Sequence, residues 1–185
     1  MRPTPKITLA SLWGLAGVLL LLGGAVARLA PIAWRGIDSG LAGWQWAALL
    51  GIVVFMGYSE GYRGFQKGFS PRVAARVRYL ATHPSLPRSL LAPLFCMGYF
   101  HATRRRQITS LVLTGAIVLL VVAVRFLPQP WRGLLDAGVV VGLLWGLISL
   151  LWFAGRALTG EQFPHSPEVP GLPVAVGERA GASDS

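Results

Sequence analysis

Four long runs of apolar residues without charged side chains dominate the chain. They extend over residues 7–27, 39–59, 108–124 and 137–155. Each approaches the roughly 20 residues that an α-helix needs to cross the hydrocarbon core of a bilayer. The pattern therefore predicts an all-α integral membrane protein with four transmembrane helices.

The polar interval between the second and third runs, residues 60–107, contains a further predicted helix. The pair Ser70-Pro71 is typical of a helix start, because serine caps free N–H groups and proline lacks an N–H that would be unpaired there. Val73, Val77 and Leu80 then recur at helical spacing, which predicts a short amphipathic helix. This helix either lies in the plane of the membrane or packs on the protein's own helices.

The stretch that follows, residues 90–102, is apolar but too short to cross a bilayer. Pro93 interrupts its helical hydrogen bonds, because proline has no N–H to donate. If the stretch crossed, the arginines at 104–106 would lie outside and the rest of the basic interval inside, against the usual charge distribution. We therefore expect a half-inserted segment that turns back at these arginines.

Charge is concentrated in the same interval. The net charge of +10 arises from 17 basic and 7 acidic residues, and more than half of the basic ones lie within residues 60–107. Basic residues close to membrane spans stay on the cytoplasmic side, so we expect this loop and both termini to be cytoplasmic. Anionic lipid headgroups explain the basic loop, and nucleic acid is not expected as a partner. The predicted headgroup-binding residues are Arg63, Lys67, Arg72, Arg76, Arg78, Arg104, Arg105 and Arg106.

The remainder of the chain divides into a membrane domain, residues 1–158, and a tail, residues 159–185. The tail is rich in Pro, Gly and Ala and is predicted to be disordered. Its acidic residues are opposite in sign to the basic loop, but exposed ion pairs contribute only about 0 to 1 kcal/mol, so we expect a solvated tail without contacts. The first apolar run also resembles a signal peptide, although it is longer than the usual apolar core of one. Arginine far outnumbers lysine, which is typical of a GC-rich bacterial genome and suggests a bacterial inner membrane.

Glycines recur at helical spacing beyond the second run. In one continuous helix they form a stripe beside Tyr58, Tyr62, Phe65 and Phe69, and such a stripe lets another backbone come close. The stripe either packs against a neighbouring helix or forms a groove, walled by the aromatic residues, for a lipid. The predicted packing or groove residues are Gly57, Gly61, Gly64 and Gly68, together with Gly138, Gly142 and Gly146 of the last run.

Two residues are candidates for acid-base chemistry. Glu60 is the single acid among the basic residues of the loop and is expected to form an ion pair with Arg63, three residues further on. The alternative is that Glu60 and His101 come together with Arg104 and act in catalysis or phosphate binding. Neither a cofactor nor a metal site is expected, since His83, His101 and Cys96 lack the spacing of known ligand sets.

The leading functional hypothesis is a small bacterial inner-membrane protein whose basic cytoplasmic platform binds anionic lipid or a membrane partner protein. A membrane enzyme acting on a lipid or isoprenoid phosphate at the inner interface is the first alternative. The second alternative is a subunit or assembly factor of a larger membrane complex, including a homo-oligomer associated through the glycine stripes.

Overall fold

A computed structural model describes residues 7–83, 85–160 and 163–169 of the chain. Within these ranges the structure is all-helical and contains no strand, which confirms the predicted class. The elements are α1 (Leu9–Asp38), α2 (Gly43–Met56), a π-helix (Gly57–Phe69), α3 (Ser70–Thr82), α4 (Leu86–Leu90), α5 (Ala92–Met97), α6 (Arg104–Val124) and α7 (Trp131–Thr159).

Three of the described helices, α1, α6 and α7, are long and apolar enough to cross a membrane. This composition is that of a multi-pass membrane protein. The connection that follows the first apolar run, residues 28–38, is helical. Helix α1 continues through Pro31 to Asp38 over 30 residues. Arg35 Nε donates to the carbonyl of Pro31 over 3.2 Å, and Ser39 Oγ caps the end of α1 at Gly36 O over 2.8 Å.

The predicted second span, residues 39–59, is represented by a shorter α-helix. Helix α2 has 14 residues, and at 1.5 Å per residue this gives about 21 Å, less than the roughly 30 Å of a hydrocarbon core. The π-helix follows directly, and α3 follows the π-helix without a break. Helix α3 begins at Ser70, as the sequence predicts, but Ser70 has helical backbone angles and continues the π-helix. Its hydroxyl lies 2.7 Å from that of Ser149.

The described chain forms two compact units. The second unit comprises Leu19–Ser70 and Val112–Leu151. Its helices approach one another at glycines of α7. A Cβ on Gly138 would lie 2.7 Å from Ile52 Cγ2, and one on Gly146 would lie 2.7 Å from Phe65 Cδ1. The glycine stripe of the last helix therefore packs inside this chain.

The first unit comprises the described residues within Met1–Val18, Pro71–Leu111 and Trp152–Ser185. Its core contains Val73, Val77 and Leu80 of α3, each at most 1% exposed. The amphipathic helix therefore packs its apolar face on the protein's own helices and does not expose it to the membrane. The segment predicted to be half-inserted forms α5 and then turns at Gly98, which has φ +87°.

Helix α5 packs against the beginning of α1 inside this first unit. A Cβ on Gly14 would lie 2.8 Å from Cys96 Sγ, and one on Gly17 would collide with the ring of Pro93. Small residues on α1 thus admit α5, as in other close helix contacts. Ala92, Phe95 and Cys96 are consequently almost fully buried.

Candidate functional site

An apolar groove of about 400 Å³ opens on the second unit. It lies between the junction of α2 with the π-helix on one side and α7 on the other. Its lining is formed by aliphatic and aromatic side chains and one glycine, which suits an apolar ligand. The lining residues are Val53, Val54, Gly57, Tyr58, Tyr62, Val141 and Trp145.

Aromatic contacts hold the walls of this groove. Tyr58 and Tyr62 stack with ring centroids 5.8 Å apart and an interplanar angle of 28°. On the opposite wall, Trp145 Nε1 donates to Gln66 Oε1 over 2.8 Å. Gly61 gives this indole room, because a Cβ there would lie 3.0 Å from Trp145 Cγ. Of the residues that the sequence predicted for a groove, Gly57, Tyr58 and Tyr62 line this one.

Positive charge borders the groove. Lys67 Nζ lies 4.7 Å from the centroid of the Tyr62 ring, a cation–π arrangement that fixes the ammonium beside the aromatic wall. Lys67 and Arg63 are both exposed. Neither forms an ion pair with any residue in the described part of the chain. Both side chains are therefore available to an anionic group.

The predicted glycine stripe does not continue along the whole π-helix. Gly61 is buried, whereas Gly64 is exposed and Gly68 is half-buried. A π-helix has more residues per turn than an α-helix, so spacings of three and four no longer bring every glycine to one face. On α7, a Cβ on Gly142 would lie 3.1 Å from Glu60 Oε2.

Glu60 does not form the expected ion pair with Arg63. Its side chain is half-buried and packs against Gly142. Among the residues that the structure describes, Glu60 has no hydrogen-bond or ion-pair partner. His101 lies in the first unit, is exposed, and meets the Phe100 ring edge-on at 5.4 Å. A catalytic role for Glu60 or His101 stays a prediction.

Arg76 lies in the core of the first unit. It is only 2% exposed, and its Nη1 donates to the carbonyl of Phe95 over 2.8 Å. Its guanidinium also lies 4.9 Å from the centroid of the Phe95 ring. Burial lowers the pKa of Arg76 to about 10, with repulsion from Arg106 adding to the effect and Cys96 and Glu168 opposing it. The group stays cationic at neutral pH and holds α5 in place.

Arg78, in the same unit, binds carbonyl groups at the C-terminal end of α7. Its Nη1 donates to the carbonyls of Ala157 and Gly160, which are among the carbonyls left free at the end of α7. Two of the predicted headgroup ligands, Arg76 and Arg78, are thus bound to backbone carbonyls. Arg78 lies at the C-terminal end of α7 and Arg76 near that of α5, and the negative end of a helix dipole favours a cation there.

The remaining arginines of the predicted platform differ in exposure. Arg104 and Arg105 are exposed in the first turn of α6, where the helix dipole disfavours positive charge. Arg72 is half-buried. The side chain of Arg106 is 12% exposed and packs over Gly98, where a Cβ would lie 3.3 Å from Arg106 Nε.

Glu168 of the tail contacts two of these arginines, Arg106 and Arg76. Its carboxylate Oε2 lies 3.7 Å from Arg106 Nε, and its carbonyl accepts hydrogen bonds from Arg76 Nη2 at 3.3 Å and the Thr103 N–H at 3.1 Å. Val169 beside it is 6% exposed. The expectation of a tail without contacts is therefore wrong for this segment. Residues 161–162 and 170–185 lie outside the described residues.

Sequence reasoning did not find Trp145 or Glu168 as site residues. Their roles depend on tertiary contacts, although Glu168 had a weak signal as an acid in a tail opposite in sign to the loop. No protein-family model matches this chain, and no curated protein or solved structure matches it either. The chemistry of the groove and of the arginines is therefore the basis on which function is inferred.

Proposed function

We propose that the protein binds an anionic phospholipid, with an acyl chain in the groove and the phosphate at Lys67 and Arg63. The observation that carries the proposal is the position of Lys67 Nζ, 4.7 Å from the centroid of Tyr62, one of the residues that line the groove. The apolar lining excludes a headgroup and accepts a hydrocarbon chain. The two exposed cations supply the partner for a phosphate.

The chemistry of the groove agrees with a position at a membrane interface. Tyrosine rings have an apolar body and a polar hydroxyl, and such residues concentrate where acyl chains meet headgroups. Lysine and arginine extend their apolar stems along hydrocarbon and hold the charged end at the headgroup level. Each basic residue near an anionic surface contributes about 1 kcal/mol to binding.

The proposal includes a topology. Helix α2 and the beginning of the π-helix together form a fourth span, which places Arg63 and Lys67 at the cytoplasmic face of a bacterial inner membrane. Both termini are cytoplasmic, and residues 90–102 are half-inserted from that side. The charge distribution of the loop supports this orientation.

The exposed pair Arg104 and Arg105 supports the same ligand chemistry. Cations in the first turn of a helix do not stabilise the helix, and neither side chain forms an ion pair among the described residues. We propose that both contact anionic headgroups at the surface. The glycines of α7, in contrast, are used inside the chain, so they give no support to the subunit hypothesis.

Lipid binding is tested by native mass spectrometry of the purified protein with phosphatidylglycerol and phosphatidylcholine in equal amounts. We expect preferential retention of phosphatidylglycerol by the wild type. Lys67→Gln should reduce this preference, and Gly57→Leu should reduce retention of both lipids by filling the groove. Arg35→Gln, which removes an exposed charge from the end of α1, is the matched control. Equal retention of both lipids by the wild type would overturn the proposal.

A further inference from the structure

Two guanidinium groups contact Glu168 in the first unit, one at its carboxylate and one at its carbonyl, and a third lies near Arg106. Arg106 Nε is 3.7 Å from Glu168 Oε2, and Arg76 donates to the carbonyl of the same residue. Arg72 is close enough to Arg106 to repel it. Arg72 is half-buried and has no hydrogen bond or ion pair with any residue that the structure describes.

The charges of this arginine cluster, Arg72, Arg76 and Arg106, are not balanced. Within residues 7–83, 85–160 and 163–169, Glu168 is the one acid that forms an ion pair with the cluster. Three cations and one carboxylate leave an excess of positive charge in a partly buried environment. Buried charges are costly unless they are paired, so the cluster favours an additional or a more highly charged anion.

The contact with Glu168 is one that a stronger ligand can replace. Its ion-pair distance of 3.7 Å is too long for a hydrogen bond. The side chain of Glu168 is 32% exposed, so its departure leads directly to solvent. Its backbone has φ +51°, a conformation that non-glycine residues adopt rarely.

We propose that this arginine cluster is a binding site for a phosphate group, and that Glu168 occupies it as a tethered competitor. A phosphate offers more charge and more acceptor oxygens than a carboxylate, and guanidinium groups bind it in a bidentate manner. When phosphate binds Arg72 and Arg106, Glu168 leaves and frees Arg76 Nη2 and the Thr103 N–H, two donors that its carbonyl now occupies.

The site is independent of the groove, because none of its residues lines that cavity. The phosphate belongs either to a lipid headgroup or to a soluble phosphorylated molecule. Hydrogen–deuterium exchange of the full-length protein in nanodiscs distinguishes the two sources. The reporters are the amide of Thr103 and the peptide that covers residues 163–169.

We expect exchange at both reporters to rise when the anion binds. A rise on addition of inorganic phosphate to phosphatidylcholine nanodiscs assigns the site to a soluble phosphate. A rise only in phosphatidylglycerol nanodiscs assigns it to a headgroup. Unchanged exchange in both arms, with phosphate up to the millimolar range, would overturn the proposal.

Variants separate competition from a merely structural contact. Glu168→Gln removes the competing charge and should tighten phosphate binding about tenfold, which corresponds to 1.4 kcal/mol. Glu178→Gln makes the same change in net charge elsewhere in the tail and should leave the affinity unchanged. Arg106→Gln should abolish binding, and Arg106→Lys, which keeps the charge, should restore part of it even if the first variant is less stable. Equal affinities of wild type and Glu168→Gln would contradict the role of Glu168.

Discussion

Gly36 of α1 and Gly133 of α7 meet backbone to backbone. A Cβ on Gly36 would lie 2.6 Å from the Cα of Gly133, and one on Gly133 would lie 2.5 Å from the Cα of Gly36. No side chain fits at either position unless the helices move apart. The Gln129 side chain closes the contact by accepting the N–H of Gly133 over 3.1 Å.

Gly36→Ala is therefore expected to destabilise the protein. Overpacking of a tight contact costs about 1 to 3 kcal/mol, and the thermal midpoint in detergent should fall accordingly. Gly23→Ala is the control in the same helix, because a Cβ at Gly23 meets nothing within 4 Å. A midpoint that falls equally in both variants would contradict a specific contact at Gly36.

Arg76→Met is expected to destabilise the first unit more than any change at Arg104. The substitution keeps a long apolar side chain but removes the donors to the carbonyls of Phe95 and Glu168. Both carbonyls keep a backbone donor, the N–H of Gly98 and of Thr103, so the cost is the loss of hydrogen bonds from a charged donor, which contribute about 1.5 to 3 kcal/mol. Arg104→Met changes an exposed residue and should stay within about 0.5 kcal/mol of the wild type. Chemical unfolding monitored by tryptophan fluorescence measures both.

Docking of the tail should weaken in mild acid. Burial, and then repulsion from Arg156, lowers the pKa of His165, whose ring contacts Phe153 at 5.8 Å. The docked form therefore prefers neutral histidine: the contribution of His165 to docking is complete above its ordinary pKa of 6.5 and decreases as the pH falls below that value. Limited proteolysis should cut residues 163–169 faster at pH 5.5 than at pH 7.5. His165→Phe should remove this difference.

Cys96 should be unreactive in the folded protein. It is 1% exposed, and burial raises the pKa of its thiol to about 12 despite the opposing charge of Arg76. Since the thiolate is the reactive form, a membrane-permeant maleimide should modify Cys96 only after unfolding. Arg104→Cys provides an exposed thiol in the same unit as the positive control. Fast labelling of Cys96 would contradict its position against Gly14.

Glu60→Gln tests catalysis against packing. Gln keeps the shape of the side chain but removes a half-buried charge without an ion-pair partner among the described residues. If Glu60 only packs on Gly142, thermal stability should stay within about 1 kcal/mol or increase. Complementation of a deletion strain should then succeed. Loss of function at normal abundance would instead support a membrane enzyme.

The sequence predicted the helical class because long apolar runs determine it almost alone. Helix ends were less predictable. Arg35 near the end of α1 and Arg132 near the start of α7 interrupt the apolar pattern but not the helices. Asp136 directly precedes the last apolar run, residues 137–155, yet it is buried in α7, 3.8 Å from Arg132.

The candidate site could be predicted only in part. Exposure of Arg63 and Lys67 follows from their charge, and a groove beside Gly57 was one of two alternatives. Burial of Arg76 did not follow from the pattern, because it depends on the tertiary packing that brings the carbonyl and the ring of Phe95 against the guanidinium. A charge stripe alone does not distinguish a residue that contacts lipid from one that caps a helix.

The packing of α7 against α2 and the π-helix depends on the number of residues in the π-helix. Glycines of α7 recur every fourth residue, whereas the residues they meet are Ile52, Met56, Glu60 and Phe65. The first three of these residues are four apart, whereas Glu60 and Phe65 are five apart, because the π-helix takes more residues for each turn. Removal of a single residue between Glu60 and Phe65 would shift the ring away from its glycine, while replacement of the exposed Arg63 would not. At Arg63, therefore, the packing depends on the presence of a residue and not on the identity of its side chain.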